Sequence, residues 1–138
     1  MTEITEGVWF AYQLTVSCGG RNHKDPSIEK YTIVKIDGDD VTVQREVDGA
    51  GAETFETKTT FGSCIFDMSD LEKKGSENMT TPFGHIYVNI FESSRDGGSE
   101  RVFLGKDNIV FRDVRTQLQS GGALYTETRE LCWTSMKL

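Results

Sequence analysis

At 138 residues, with 36% hydrophobic and 27% charged side chains, the chain has the size and apolar content of one folded domain, which excludes wholesale disorder and a bundle of membrane-spanning helices. The net charge is -7, and residues 1–69 set 12 Asp and Glu against 6 Lys and Arg, with the cations scattered along the chain. That charge pattern excludes the gathered basic face that nucleic acid or an anionic membrane surface requires.

The period-two alternation of Val8, Phe10, Tyr12, Leu14 and Val16 in GVWFAYQLTVS predicts a half-buried strand. CGGRNHKDPS follows without apolar periodicity and predicts a long exposed loop holding His23 and Pro26. In YTIVKIDGDDVTVQREV, two β-branched runs flank Asp37-Gly38, a tight hairpin turn. DGAGAE breaks the chain, and the Thr-rich ETFETKTTF predicts a strand at a sheet edge.

CIFDMSDLEKKGSEN has helical character, with Ser69 capping a turn through Asp70, Leu71 and Glu72 that Gly75 ends. TTPFGHIYVNIFES predicts a central strand, because Ile86, Val88 and Ile90 alternate with His85, Tyr87, Asn89 and Phe91 and both faces carry apolar members. ERVFLGKDNIVFRDVRTQLQ predicts a second hairpin, turning at Gly105 to Asn108, and ALYTETRELCWTSM, set off by Gly121-Gly122, predicts a last strand.

The sum is one all-β domain over residues 1–138, with about eight or nine strands and at most one or two short helical turns. A curved antiparallel sheet, half-barrel, barrel or sandwich fits the short spacing of the turns. A doubly wound α/β fold is excluded, since parallel strands need long and usually helical connections.

From Thr81 onward, the order TPFGHIYVNIF, a Gly-rich turn, RVFLGKDNIVF and GGALYTETREL resembles the C-terminal halves of lipoprotein-carrier half-barrels of the LolA and LppX type. The resemblance implies a curved antiparallel sheet whose concave face takes an acyl chain or another protein. Proteins of that kind are exported and plug the concave face with helices, for which this chain offers only the turn near Ser69 to Gly75.

Few residues suggest chemistry. Cys18, His23, Cys64, His85 and Cys132 are the residue types of a zinc site, but their spacing matches no ligand motif, and the expectation is no metal and no cofactor. Asp39-Asp40 reads as turn chemistry, and Glu127 with Glu130 is the remaining carboxylate pair. The paired glycines lie between strands and open no helix, so they cradle no phosphate.

The aromatic set Phe10, Tyr12, Tyr87, Phe91, Phe103, Phe111, Tyr125 and Trp133 is the candidate lining of an apolar pocket. The reading is a noncatalytic binding or interaction module that holds an apolar small molecule or a protein partner on a concave sheet face, or forms a homodimer through a sheet edge. The alternative is a small hydrolase using His85 with a nearby cysteine or carboxylate. Three widely spaced cysteines, no basic and apolar leader in MTEITEGVWF, and no run of about 18 apolar residues point to the cytoplasm without membrane insertion. A chain trimmed of an export signal, or a piece of a cell-envelope protein, would read the same way.

Overall fold

The alternation that begins at Val8 becomes strand β1 (Trp9–Cys18) in the computed structural model of the chain, which describes residues 4–22, 25–48, 50–59, 64–95 and 97–138. Phe10, Tyr12, Leu14 and Val16 are all buried, because the pleat sends every second side chain to the same face. The remaining strands are β2 (Arg21–Asn22), β3 (Ser27–Asp37), β4 (Asp40–Val47), β5 (Glu53–Lys58), β6 (Glu72–Thr81), β7 (Gly84–Arg95), β8 (Gly98–Leu104), β9 (Val110–Leu118) and β10 (Leu124–Thr134). They form one antiparallel sheet of order β5-β4-β3-β1-β10-β9-β8-β7-β6, with the short β2 folded back on β1. The expected all-β class holds, as a curved and open sheet not closed into a barrel.

The strand order is a meander whose two halves are joined by pairing of β1 with β10, near the two ends of the chain. It leaves β5 and β6, consecutive in sequence, at opposite edges of the sheet. From Cys64 on, the segment that links them lies across the hollow. Cys64 and Phe66 do so as part of the core, and the Phe66 ring stands edge-on to Tyr12, with centroids 5.3 Å apart. Tyr12 sits fully buried beneath it and donates its hydroxyl to the carbonyl oxygen of Val110 at 2.7 Å.

Turn chemistry fixes the hairpins. Asp37 pairs with Asp40 across Gly38-Asp39, and Gly38 has φ +61°, a conformation that a Cβ disfavours. Gly38→Ala should cost about 1 kcal/mol by thermal unfolding, and an unchanged midpoint would contradict this account of the turn. At the other expected hairpin, Asp107 and Asn108 take φ 57° and 61° in a single 3-10 turn (Lys106–Asn108). Both residue types tolerate that region.

Three expectations are corrected. The stretch from Ser69 to Gly75 forms no helix: Ser69 N donates to Asp67 Oδ1 at 3.0 Å in a side-chain turn, and β6 starts at Glu72. Glu72, Lys73, Lys74 and Glu77 are exposed on an edge strand, where charge discourages unwanted pairing, and Gly75 sits at a register shift in that strand. Charged residues without alternation imitate a helix in sequence. TTPFGHIYVNIFES is not one strand, because Thr81 to Gly84 is a turn between β6 and β7; β7 itself lies inside the sheet as expected. The long loop after β1 is instead a tight turn at Gly19-Gly20, followed by β2, with His23 and Lys24 outside the described residues.

The Thr-rich run is edge strand β5, with Thr60 and Phe61 outside the described residues, and the last run is strand β10. No helix among the described residues is long and apolar enough to cross a membrane.

Candidate functional site

The concave face changes character from one end to the other. Along β10, Tyr125, Glu127, Arg129 and Leu131 share one phase, and their partners on β1 are Cys18, Val16, Leu14 and Tyr12. On the other side of β10, Arg129 faces Asp113 and Glu127 faces Arg115; on β8, Glu100 faces Arg115, and on β7, Ser93 faces Glu100. Across β1, Tyr12 faces Glu29, while Tyr31 faces Arg45 and Arg45 faces Glu53. Same-face neighbours along these rungs make the far end of the hollow polar, while Phe10, Ile33, Val41, Val43, Phe111 and Leu131 fill the other end.

Glu29 is the centre of one charge network. Fully buried, it accepts hydrogen bonds from Arg129 Nε at 2.6 Å, from Tyr31 Oη at 3.1 Å and from Arg45. Arg129 Nη1 also donates to Glu127 at 3.1 Å, Arg45 Nη1 donates to Glu53 at 2.8 Å, and Tyr125 Oη donates to Glu127 at 3.0 Å. Burial alone would raise the Glu29 carboxyl, but the hydrogen bonds and charges of Arg129 and Arg45 outweigh it and hold the group below its ordinary value. Both guanidinium groups are held more firmly protonated in return.

Beside this network lies a second cluster of a different kind. Arg115 Nε donates to Glu100 Oε2 at 2.9 Å and stands 3.2 Å from Asp113 Oδ2. Asp113 is fully buried, with the Arg115 guanidinium and the Glu100 carboxyl as its polar neighbours. Burial, reinforced by the Glu100 carboxyl beside it, pushes Asp113 up to about 8 against the pull of Arg115 and Arg129. Burial and Glu100 thus favour the protonated form of the group.

Glu100 and Arg115 form part of the wall of an open cavity of about 470 Å³. Ser93, Gln117 and the Gly97-Gly98-Ser99 turn supply the rest of the sheet side, and Asp67, Asp70 and Leu71 of the crossing segment supply the rim. The volume lies in the range of small-molecule sites.

The eight aromatic residues of the expected apolar pocket are dispersed. Phe10, Tyr12, Phe103 and Phe111 are buried in the core and Phe91 packs against it. Tyr125 belongs to the polar end. Tyr87 and Trp133 are 61% and 68% exposed, with Tyr87 donating to Ser76 Oγ and Trp133 standing edge-on to Trp9. His85 is exposed beside the β6–β7 turn, its Nδ1 3.2 Å from Thr80 Oγ1. Cys64 is buried in the core, Cys132 contacts the Ala11 carbonyl, and Cys18 ends β1; all three are free thiols. No group of three or more His, Cys, Asp or Glu among the described residues could hold a metal ion.

Glu127 and Glu130, paired in sequence, lie on opposite faces of β10, while Asp40 at the β3–β4 turn pairs with Lys58 on the surface. No protein-family model matches the chain, and no curated protein matches it in sequence.

Proposed function

We propose that the protein is a noncatalytic binding module that takes a small polar ligand into the cavity between the crossing segment and the polar end of the concave face. The observation that carries this reading is the cavity itself: strands β7, β8 and β9 and residues 67–71 converge on one open space whose lining mixes carboxylates, a guanidinium, an amide, two serines and a glycine turn. The resemblance to lipoprotein-carrier half-barrels also supports an occupant on the concave face. An acyl chain fits less well than a polar molecule, because the aromatic side chains of the core pack against one another and against Phe66. Pairing through an edge is disfavoured at β6 by its exposed charges, so the cavity accounts for binding better than a sheet-edge dimer does. The hydrolase alternative draws no support from the surroundings of His85, whose contact is a threonine hydroxyl.

Amide-correlation NMR with mixtures of small polar and apolar molecules tests the reading. Shifts should gather at Gly97, Gly98, Ser99 and Gln117 and vanish in Ser93→Trp, which fills the cavity from β7. Shifts spread evenly over the surface, or unchanged by the filling substitution, would contradict it.

A further inference from the structure

Trp133 lies on β10, the middle strand of the sheet order, and 68% of it is exposed on the outer face. A polar residue would serve the fold equally well there, so the open indole leaves apolar area in water that an occupant would cover. Its neighbours on that face follow from the register. Ala11 of β1 pairs with Trp133 on one side and with Lys30 of β3 on the other, and the next rung pairs Gln13 with Glu130 and Ile28. Trp9 stands edge-on to Trp133, with centroids 5.8 Å apart, and Lys30 Nζ lies 4.8 Å from the centroid of the Trp9 ring. Ala11, only 5% exposed, sits between these larger side chains.

The backbone beneath the two indoles is pinned. Trp9 N donates to Ser135 Oγ at 3.0 Å, and the Trp9 carbonyl accepts from Thr134 Oγ1 at 2.8 Å and from Ser135 N at 3.1 Å. A surface fixed in this way loses little freedom when something binds to it. Lys30 also leads onward, because with Ile28, Glu46, Val47 and Asp48 it lines an open cavity of about 440 Å³. The pairing of Lys30 with Glu46 puts that cavity next to the indoles on the same face.

Charge and area narrow what this surface can hold. A cation is repelled by Lys30, which already covers Trp9, and an anion by Glu130, Glu46 and the net charge of -7. A stable protein interface buries about 800 Å² on each partner, more than two indoles supply. The exposed pair Leu118 and Leu124 lies at the opposite end of β10 and does not extend the patch. A neutral ring with a flat C–H face and a rim of hydroxyls meets every condition. Its C–H bonds carry partial positive charge toward the negative face of the indole, and its hydroxyls can exchange hydrogen bonds with Gln13, Glu130 and Lys30.

We propose that the outer face of the sheet binds carbohydrate: a neutral pyranose with equatorial hydroxyls stacks on Trp133, and the sugars linked to it run past Lys30 into the cavity beside Ile28 and Glu46. This site is separate from the cavity on the concave side and does not depend on it.

The test titrates cellotetraose, its cationic amino analogue tetraglucosamine and the anionic β-1,4-linked tetraglucuronate into the protein, in mildly acidic buffer. Trp9 and Trp133 are the chain's 2 tryptophans, so two indole N–H signals report on the platform by NMR. Cellotetraose should shift both saturably, together with the amides of Val47 and Ala50, and bind at least about tenfold more tightly than either charged analogue. Trp133→Ala, a change at an exposed position that the fold tolerates, should weaken cellotetraose by about tenfold. Equal or tighter binding of a charged analogue overturns the neutral class. Affinity unchanged in Trp133→Ala overturns the stacking, and indole shifts with none at Val47 and Ala50 overturn the path into the cavity. Indole signals that move on dilution of the protein alone assign the platform to a second copy of the chain. No saturable shift from cellotetraose overturns the carbohydrate site.

Discussion

Replacing Glu29 with Ala is expected to lower the free energy of unfolding by about 3–5 kcal/mol at neutral pH, measured by urea denaturation. The carboxylate is fully buried and is bound by two guanidinium groups, one of which, Arg129, is only 11% exposed. Removing the acid leaves that positive charge in the interior without its partner, and the loss of the Tyr31 hydroxyl's acceptor adds to the cost. The pair as a whole contributes far less than the loss on breaking it, since both charges had to be taken out of water. Glu29→Leu combined with Arg129→Met should therefore recover much of what Glu29→Ala loses. Because the folded state holds the Glu29 carboxyl below its ordinary value, its contribution is present above the unfolded value, near pH 4.5, and is lost as pH falls through the folded one. An unfolding midpoint for Glu29→Ala equal to that of the parent chain would contradict the buried network.

The second large effect has the opposite sign and a different pH range. Asp113 is raised from 3.8 to about 8, so between those values the folded chain binds a proton that the unfolded chain has lost. Stability therefore falls as pH climbs from about 4 to about 8, and the deficit is complete above the folded value. At about 1.4 kcal/mol per pKa unit, a shift of this size is worth several kcal/mol, and neighbouring Arg115 and Arg129 already temper it. Asp113→Asn keeps the shape of the neutral acid without its ionisation. The substitution should stabilise the fold at alkaline pH and flatten the decline of stability across that window. A decline as steep in Asp113→Asn as in the parent would mean that another group carries it.

The strands that were legible in the sequence were those where turn chemistry and alternation agreed, as at Asp37-Gly38 and Gly105 to Asn108. Edge strand β6 hid because its side chains are exposed on both faces, which erases the alternation and leaves a string of charges that looks helical. The candidate site hid for a related reason. Glu29 stands in phase with Tyr31 and Ile33, Asp113 and Arg115 with Phe111, and Arg129 and Glu127 with Leu131, yet charged residues are ordinarily assigned to the solvent face. Charge at core-phase positions of several strands at once is the signal that finds such a site. The partners themselves were beyond reach, because Glu29 meets Arg129 only through the pairing of β3 with β1 and of β1 with β10.

The aromatic residues show the same limit from the other side. Phe10 and Trp133 have similar character in sequence, but one lies in the core and the other is 68% exposed, since the face of β10 that carries Trp133 points away from the hollow. A shift in register between β1 and β10 at Ala11 to Tyr12 changes the phase of that strand near its end, and no local pattern announces it.

The protonation of Asp113 is the most direct measure of whether the polar end of the sheet is built as described, because a carboxyl stays neutral beside Arg115 only where burial and the Glu100 carboxyl outweigh that cation. Carboxyl-carbon NMR of isotope-labelled aspartate, assigned through Asp113→Asn, reads that state residue by residue. The structure predicts a titration midpoint for Asp113 of about 8, far above the ordinary value of 3.8. A midpoint at or below that ordinary value would contradict the burial of the group.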